Sequence, residues 1–321
     1  MNSARWLSFF AIVLFASLTG AADFPTKPLR LVVPFPPGGL LDNLGRALGP
    51  DLSAQLGQPV VIDNRPGANG MIGAGLVAMA APDGHTLLIG GGSSFVVNPL
   101  LNPGLPFDPM KDLAPVSMVS RGPSVLVASP TYEARSVAEL IALAKAAPGK
   151  ISYGTPGNGN PNHLAGELFK SAAGVNLVHV PYKGAAFVIT DVIAGHVPVG
   201  FVTLGAAMPH LRSGKLKALA VTTAQRWESA PELPTMGDAG LAQVHLVEWS
   251  GLFVPSGTPP AALARLNEVV RRALAAPELR ARLREQGLEV QGSSSADLAA
   301  EMQSDLARLG AIVKQAGIRA D

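Results

Sequence analysis

The chain has 321 residues, enough for about two domains of ordinary size, and 48% of them are apolar, so each domain can bury a core. Charged residues are sparse at 15% and balanced at a net +2, which leaves no basic surface to follow a phosphate backbone and excludes nucleic acid as a partner. Zero cysteines exclude disulfides, thiolate metal sites and cysteine nucleophiles, while 35 glycines and 28 prolines imply many turns.

In chain order, Arg5 precedes an apolar run over 6–18, and Gly20, Ala21 and Ala22 supply the small residues that a signal peptidase requires. Residues 1–22 therefore read as a cleavable export signal, since the run is shorter than the ~20 residues of a membrane span and Pro25 and Pro28 stop its continuation. Residues 29–35 predict a first strand, Pro36-Pro37-Gly38-Gly39 a turn, and Leu41, Leu44, Leu48 and Leu52 the apolar face of a helix. A second strand at 60–63 leads through the loop 64–70 into a small-residue helix reaching Ala81. Its Gly73-Ala74-Gly75 imitates a dinucleotide fingerprint but follows a loop rather than a strand, so it reads as close helix packing. A third strand at 86–90 ends in the loop Gly91-Gly92-Ser93-Ser94.

Two β-rich pieces between 113 and 129 join at Arg121-Gly122-Pro123, where the chain is expected to cross into a second domain. Ser136 and Glu139 form a capping box for a helix that Pro148-Gly149 ends. The strand 151–154 opens a polar loop and another helix; further strands are expected at 177–182, 197–202 and 216–222, with a helix at 184–194. Residues 247–254 cross back. Two last helices, one with Leu263, Leu266, Val270 and Leu274 and one with Leu298, Met302, Leu309 and Val313, are expected to pack on the first domain. The alternation predicts α/β architecture with mostly parallel sheets, domain I being 23–122 plus 248–321 and domain II 123–247.

The chemistry is harder to find. Six histidines show no metal-binding spacing, and neither a metal nor a cofactor is expected. His163 reads as a first-turn residue bonding a neighbouring loop, and His179 as a satisfied strand residue. Asp42 suits a helix start through the macrodipole. Gly91-Gly92-Ser93-Ser94 lacks the last glycine of a nucleophile elbow, but a secreted esterase or amidase using Ser93 or Ser94 stays open as a competing class. Four loops, at 36–42, 64–70, 90–94 and 155–160, are rich in Gly, Ser, Thr and Asn and fall at strand ends, where backbone N–H groups and helix N-termini hold anions without basic side chains.

The strings Lys27-Pro-Leu-Arg-Leu-Val-Val-Pro-Phe-Pro-Pro-Gly-Gly39 with Asp42, Gly57-Gln-Pro-Val-Val61, Asn64-Arg-Pro-Gly67, Pro82-Asp-Gly84, Pro148-Gly-Lys150, His179-Val-Pro-Tyr-Lys-Gly184 and Leu233-Pro-Thr235 together resemble the Bug-type substrate-binding proteins of tripartite tricarboxylate transporters. The resemblance implies a two-domain periplasmic-binding-protein fold, a type II-like Venus flytrap, with each sheet flanked by helices. It also implies a monomeric periplasmic receptor that binds a small carboxylate and delivers it to a membrane permease. By the same resemblance Pro37, Gly38, Gly39 and Asp42 match the first loop, Ser93 and Ser94 a small polar loop, Thr155, Gly157, Gly159 and His163 the domain II loop, and Tyr182 a segment near the cleft. Asn158, Asn160 and Thr203 are expected to close on the ligand from domain II. Leu40-Leu41, Asn160, and Pro198 and Thr203 at usually acidic positions depart from the family pattern. They imply a more apolar, less acidic cleft, suited to a mono- or dicarboxylate with an apolar or aromatic body. Closure could also serve a signalling partner, a third reading left open by the sequence.

Overall fold

The computed structural model describes residues 24–102 and 104–316; the expected export signal at 1–22 lies outside them. In chain order the elements are β1 (Leu29–Val33), α1 (Leu40–Leu56), β2 (Val60–Asn64), α2 (Met71–Ala78), β3 (Thr86–Gly91), α3 (Gly92–Leu101), α4 (Pro109–Asp112) and β4 (Leu113–Ala128). The middle of the chain adds α5 (Val137–Ala146), β5 (Ser152–Thr155), α6 (Pro161–Ala173), β6 (Val178–Pro181), α7 (Ala185–Ala194), β7 (Val199–Thr203), α8 (Leu204–Arg212) and β8 (Lys217–Val221). It ends with β9 (Val247–Pro255), α9 (Pro260–Leu274), α10 (Pro277–Glu285), β10 (Glu289–Val290) and α11 (Ser295–Ala316).

The strands run in the order β2-β1-β3-β9-β4-β7-β5-β6, with β8 and β10 also on β4. The joint is the 16-residue β4, buried at almost every position. Its residues 113–123 pair antiparallel with β9, and 124–128 pair antiparallel with β7 and β8. One uninterrupted strand thus belongs to both lobes, where two pieces were expected. Strands covered on both faces lose the apolar/polar alternation, as the consecutive buried Met118-Val119 and Val125-Leu126-Val127 show.

Two helical layers cover each lobe. In the first, Leu41, Leu44, Leu48, Leu52 and Leu56 of α1 join Leu266, Val270 and Leu274 of α9 on one face. Met71, Phe95, Leu298 and Met302 cover the other. The small residues of α2 do pack closely: a Cβ at Gly73 would stand 2.8 Å from Pro34, and one at Gly75 3.0 Å from Phe107. The second lobe is covered by α5 and α6 around Tyr153, Phe169 and Phe201, and by α7 and α8 around Val188, Val192 and Met208.

Five elements differ from expectation. The loop expected at 91–94 winds into α3 from Gly92, whose Cα lies so close to the Trp249 ring that a Cβ would be 2.1 Å from it. Helices α8 and α10 and strand β10 carried too little apolar periodicity to be read; α10 buries only Leu279 and Leu283. Finally, α11 does not stay on the first lobe: Leu309 and Val313 share a cluster with Val96 and Val97 of α3 and Leu164 of α6, so the last helix packs against both lobes.

Candidate functional site

The sheet register fixes where the loops meet. Strands β1 and β3 are parallel, and β3 ends with Gly91 opposite Ser250 of β9, which in turn faces Ser120 of β4. Strands β5 and β7 are parallel and point the opposite way, β7 ending with Thr203 opposite Ser124 of β4. The carboxyl ends of both sets therefore converge on the same short stretch of β4. From Ser120 to Ser124 is about 13 Å at the ~3.3 Å rise of a strand. The N-termini of α1, α3, α6 and α8 all follow those strand ends and border this gap, the place where open α/β sheets bind ligands.

On the first-lobe side, Pro37, Gly38, Gly39 and Leu40 are exposed, and Gly38 adopts φ +84°, which only glycine takes without strain. Asp42 is buried and fully engaged: the Gly38 N–H donates to Oδ2 at 2.9 Å, Arg46 Nε donates to the same oxygen at 2.8 Å, and Asn64 Nδ2 donates to Oδ1 at 2.9 Å. The Arg46 hydrogen bond leads the effects that hold the Asp42 carboxyl at about 2. Asp42 thus shapes the loop rather than offering a free oxygen. The N-cap of α1, Gly39, has no side-chain bond, and the Asn43 N–H is the first to bond back to Gly39. The N–H groups between them are the orphan donors of the helix start. Ser93 and Ser94 fall in the first turn of α3.

On the second-lobe side the loop is held by a stack of imidazoles. The Gly159 N–H donates to His163 Nδ1 at 3.0 Å, so this nitrogen carries no proton and Nε2 faces Glu167 Oε1 at 3.7 Å. The rings of His163 and His179 stack at 3.8 Å between centroids, 7° from parallel. His179 Nε2 lies 2.7 Å from the Thr155 hydroxyl, which donates to the Gly157 carbonyl at 3.0 Å. Thr155, expected to touch ligand, is instead wholly buried with its hydroxyl committed within the loop. Asn160 caps α6, its Oδ1 accepting from the His163 N–H. Behind the stack, burial pushes the Glu167 carboxyl up, but bonds from His163, Lys170 and the 2.6 Å Tyr153 hydroxyl outweigh it and hold it at about 2. Tyr182 donates to Asp191 at 2.7 Å; burial and that carboxylate push its phenol up to about 12. Gly157, Asn158 and Thr203 keep partial exposure.

The register also brings forward residues that sequence reading passed over. Glu248 pairs across from Gly122, two residues from the Ser124–Thr203 pair, and Ser124 Oγ donates to its Oε1 at 3.2 Å. Asn162, in the first turn of α6, hydrogen-bonds to it from the second lobe. Burial pushes the Glu248 carboxyl up to about 7, and these two bonds only partly offset it. Nearby, Ser120 and Ser250 hydroxyls pair at 2.7 Å, Arg121 reaches Glu301 of α11 at 2.6 Å, and Trp249 Nε1 donates to Asp305 of α11 at 2.8 Å. A lone Glu in a β-rich crossing segment gives no periodic signal. Its one legible cue was an acid inside the predicted crossover. Among the described residues no cluster of His, Asp and Glu could hold a metal ion.

A family model described as tripartite tricarboxylate transporter family receptor matches residues 44–318. The chain is 37% identical to the protein BugT of Bordetella pertussis over 85% of its own length and 86% of that protein's. It also superposes on an R. palustris protein solved with adipate, at TM-score 0.86 and 37% identity, covering 92% of this chain and 99% of that one. The malate-bound MatC of Rhodopseudomonas palustris matches at TM-score 0.81 and 32% identity, covering 90% and 100%. These relatives are receptors, which sets the esterase alternative aside, and they share the two-domain periplasmic-binding-protein fold. The chain belongs to the tripartite tricarboxylate transporter receptor family.

Proposed function

We propose that the protein is a monomeric periplasmic receptor that closes its two lobes on a small organic carboxylate and presents the closed form to a tripartite tricarboxylate permease. The observation that carries the reading is the convergence of four helix N-termini from two lobes on one gap, where the bordering Arg46 is already engaged by Asp42. An anion there is held by orphan N–H groups at the starts of α1 and α3 and by the α6 and α8 starts facing them, rather than by a cationic side chain. The relatives solved with adipate and malate favour a dicarboxylate. Exposed Leu40 at the mouth favours one with an apolar body. In this reading the hinge lies where β4 and β9 change partners, near 122–123 and 247–248, so domain I is 23–122 plus 248–321.

Pro37, Gly38, Gly39, Ser93 and Ser94 are assigned to the domain I half-site, and Gly157, Asn158, Gly159 and Thr203 to the domain II half-site. Asp42, Thr155, Asn160, His163 and Tyr182 act by holding those loops in place. Closure follows only from tighter binding in the closed state, and full switching from 1:99 to 99:1 requires ~5.5 kcal/mol of preference. A thermal-shift screen of mono- and dicarboxylates tests the reading. A ligand at 100 times its Kd adds ~2.7 kcal/mol, a rise of several degrees. A flat response across the whole panel would overturn it.

A further inference from the structure

The floor of the cleft holds an acid that the receptor reading does not use. Glu248 retains an opening to solvent while the packing around it removes most of its water. Strand β4 offers it the Ser124 hydroxyl and α6 the Asn162 amide, so the carboxyl bridges both lobes at the point where they hinge. Among the described residues no cation answers it. Arg121 on β4 is paired with Glu301 of α11; Asp305 of α11 is held by Trp249 and Arg308; His163 of α6 accepts from Gly159; His245, just before β9, is pressed toward its neutral form by burial and Arg308. None of them exerts a charge effect on Glu248. Beside the acid, Asn162 is only 3% exposed, and its Oδ1 has no hydrogen-bond partner. An orphaned buried acceptor next to an unpaired acid is costly to maintain unless something else occupies the gap.

We infer that Glu248 is a ligand contact that enters the complex as the neutral acid, so that a carboxylate ligand is taken up together with one proton from solvent. The inference rests on the carboxylate reading above. Two carboxylates at hydrogen-bond distance cannot both stay ionised, and the pair is stabilised when they share a single proton. The ligand's own carboxyls, ordinary at ~4, remain charged near neutrality, so the proton resides on Glu248, the group already pushed up by burial. The Glu248 O–H then donates to a ligand oxygen, Ser124 continues to donate to Glu248, and Asn162 Oδ1 offers an acceptor to a hydroxyl on the ligand. A hydroxy acid satisfies both groups.

Titration calorimetry with adipate and with malate, in phosphate and in Tris at about pH 8, reads the proton directly from the difference in heats. Uptake approaching one proton per ligand is expected, with Kd flat below neutrality and rising toward ~tenfold per pH unit above it. In Glu248→Gln the uptake disappears and Kd loses its pH dependence, while malate retains an advantage over succinate that Asn162→Leu removes. Binding without proton uptake, or uptake that survives Glu248→Gln, overturns this inference and leaves the carboxylate reading standing. If no carboxylate binds at all, both fall.

Discussion

The two lobes present equivalent strand-to-helix loops to the cleft and anchor them by different physics. In the first, a buried carboxylate ties down its loop through one backbone N–H and two side chains at the protein surface: Asp42 holds Gly38, and is itself held by exposed Arg46 and by Asn64. In the second, the anchor is an interior column of rings and hydroxyls running from Thr155 through His179 and His163 to Glu167, Lys170 and Tyr153. An ionic knot near water can be screened and titrated. A buried column loses far more when a member is removed, because the partners left behind have no water to turn to.

The largest expected effect tests the buried column. Glu167→Ala leaves the Tyr153 hydroxyl, on a side chain with no exposure, without its acceptor. It also releases the Lys170 ammonium. We expect a loss of about 3 kcal/mol in urea unfolding, in the range for breaking a buried pair from one side. A loss below ~1 kcal/mol would mean that the column is decoration on a loop held by its backbone.

The surface knot should respond less, and differently. Asp42→Asn keeps the shape but loses the charge that draws Arg46, and a loss of about 1–2 kcal/mol is expected near neutrality, discounted for the solvent around Arg46. The folded pKa is lowered from 3.8 to about 2, so this contribution is fully present above ~4 and disappears as pH falls through about 2. Thermal denaturation of the two proteins should therefore converge in strong acid, and added salt should narrow the gap at pH 7. A gap that widens on acidification would contradict the ion-pair account.

How far the sequence revealed these arrangements follows from the range of each signal. Helix α1 was legible because four leucines at helical spacing face one sheet. The succession of strands and helices along the chain was legible because Gly and Pro mark the turns between them. His163 was read correctly as a first-turn residue bonded to its own loop, a contact four residues long. What stayed hidden depends on pairing between distant segments. Nothing near Thr155 announces that the His179 ring will meet its hydroxyl, and nothing near Glu248 announces Ser124, 124 residues away. The same holds for α11, whose apolar stripe predicted burial correctly but could not say that Leu309 and Val313 would lie between two lobes.

The finest contrast between the loops lies in one glycine from each. Gly38 has φ +84° and Gly159 φ +68°, so alanine at either carries the left-handed penalty of about 1 kcal/mol. Their surroundings differ. A Cβ at Gly38 meets nothing within 4 Å, whereas one at Gly159 would lie 2.5 Å from Cδ1 of Leu101, on the α3 helix of the opposite lobe. Gly38→Ala should therefore show the backbone penalty alone, about 1 kcal/mol in urea unfolding. Gly159→Ala should show that penalty and also push the lobes apart at a contact made when they are close, so its ligand affinity should fall by more than its stability predicts. Equal effects of the two substitutions on both measurements would mean that Leu101 yields freely, and that the two loops, though anchored differently, present themselves to the cleft in the same way.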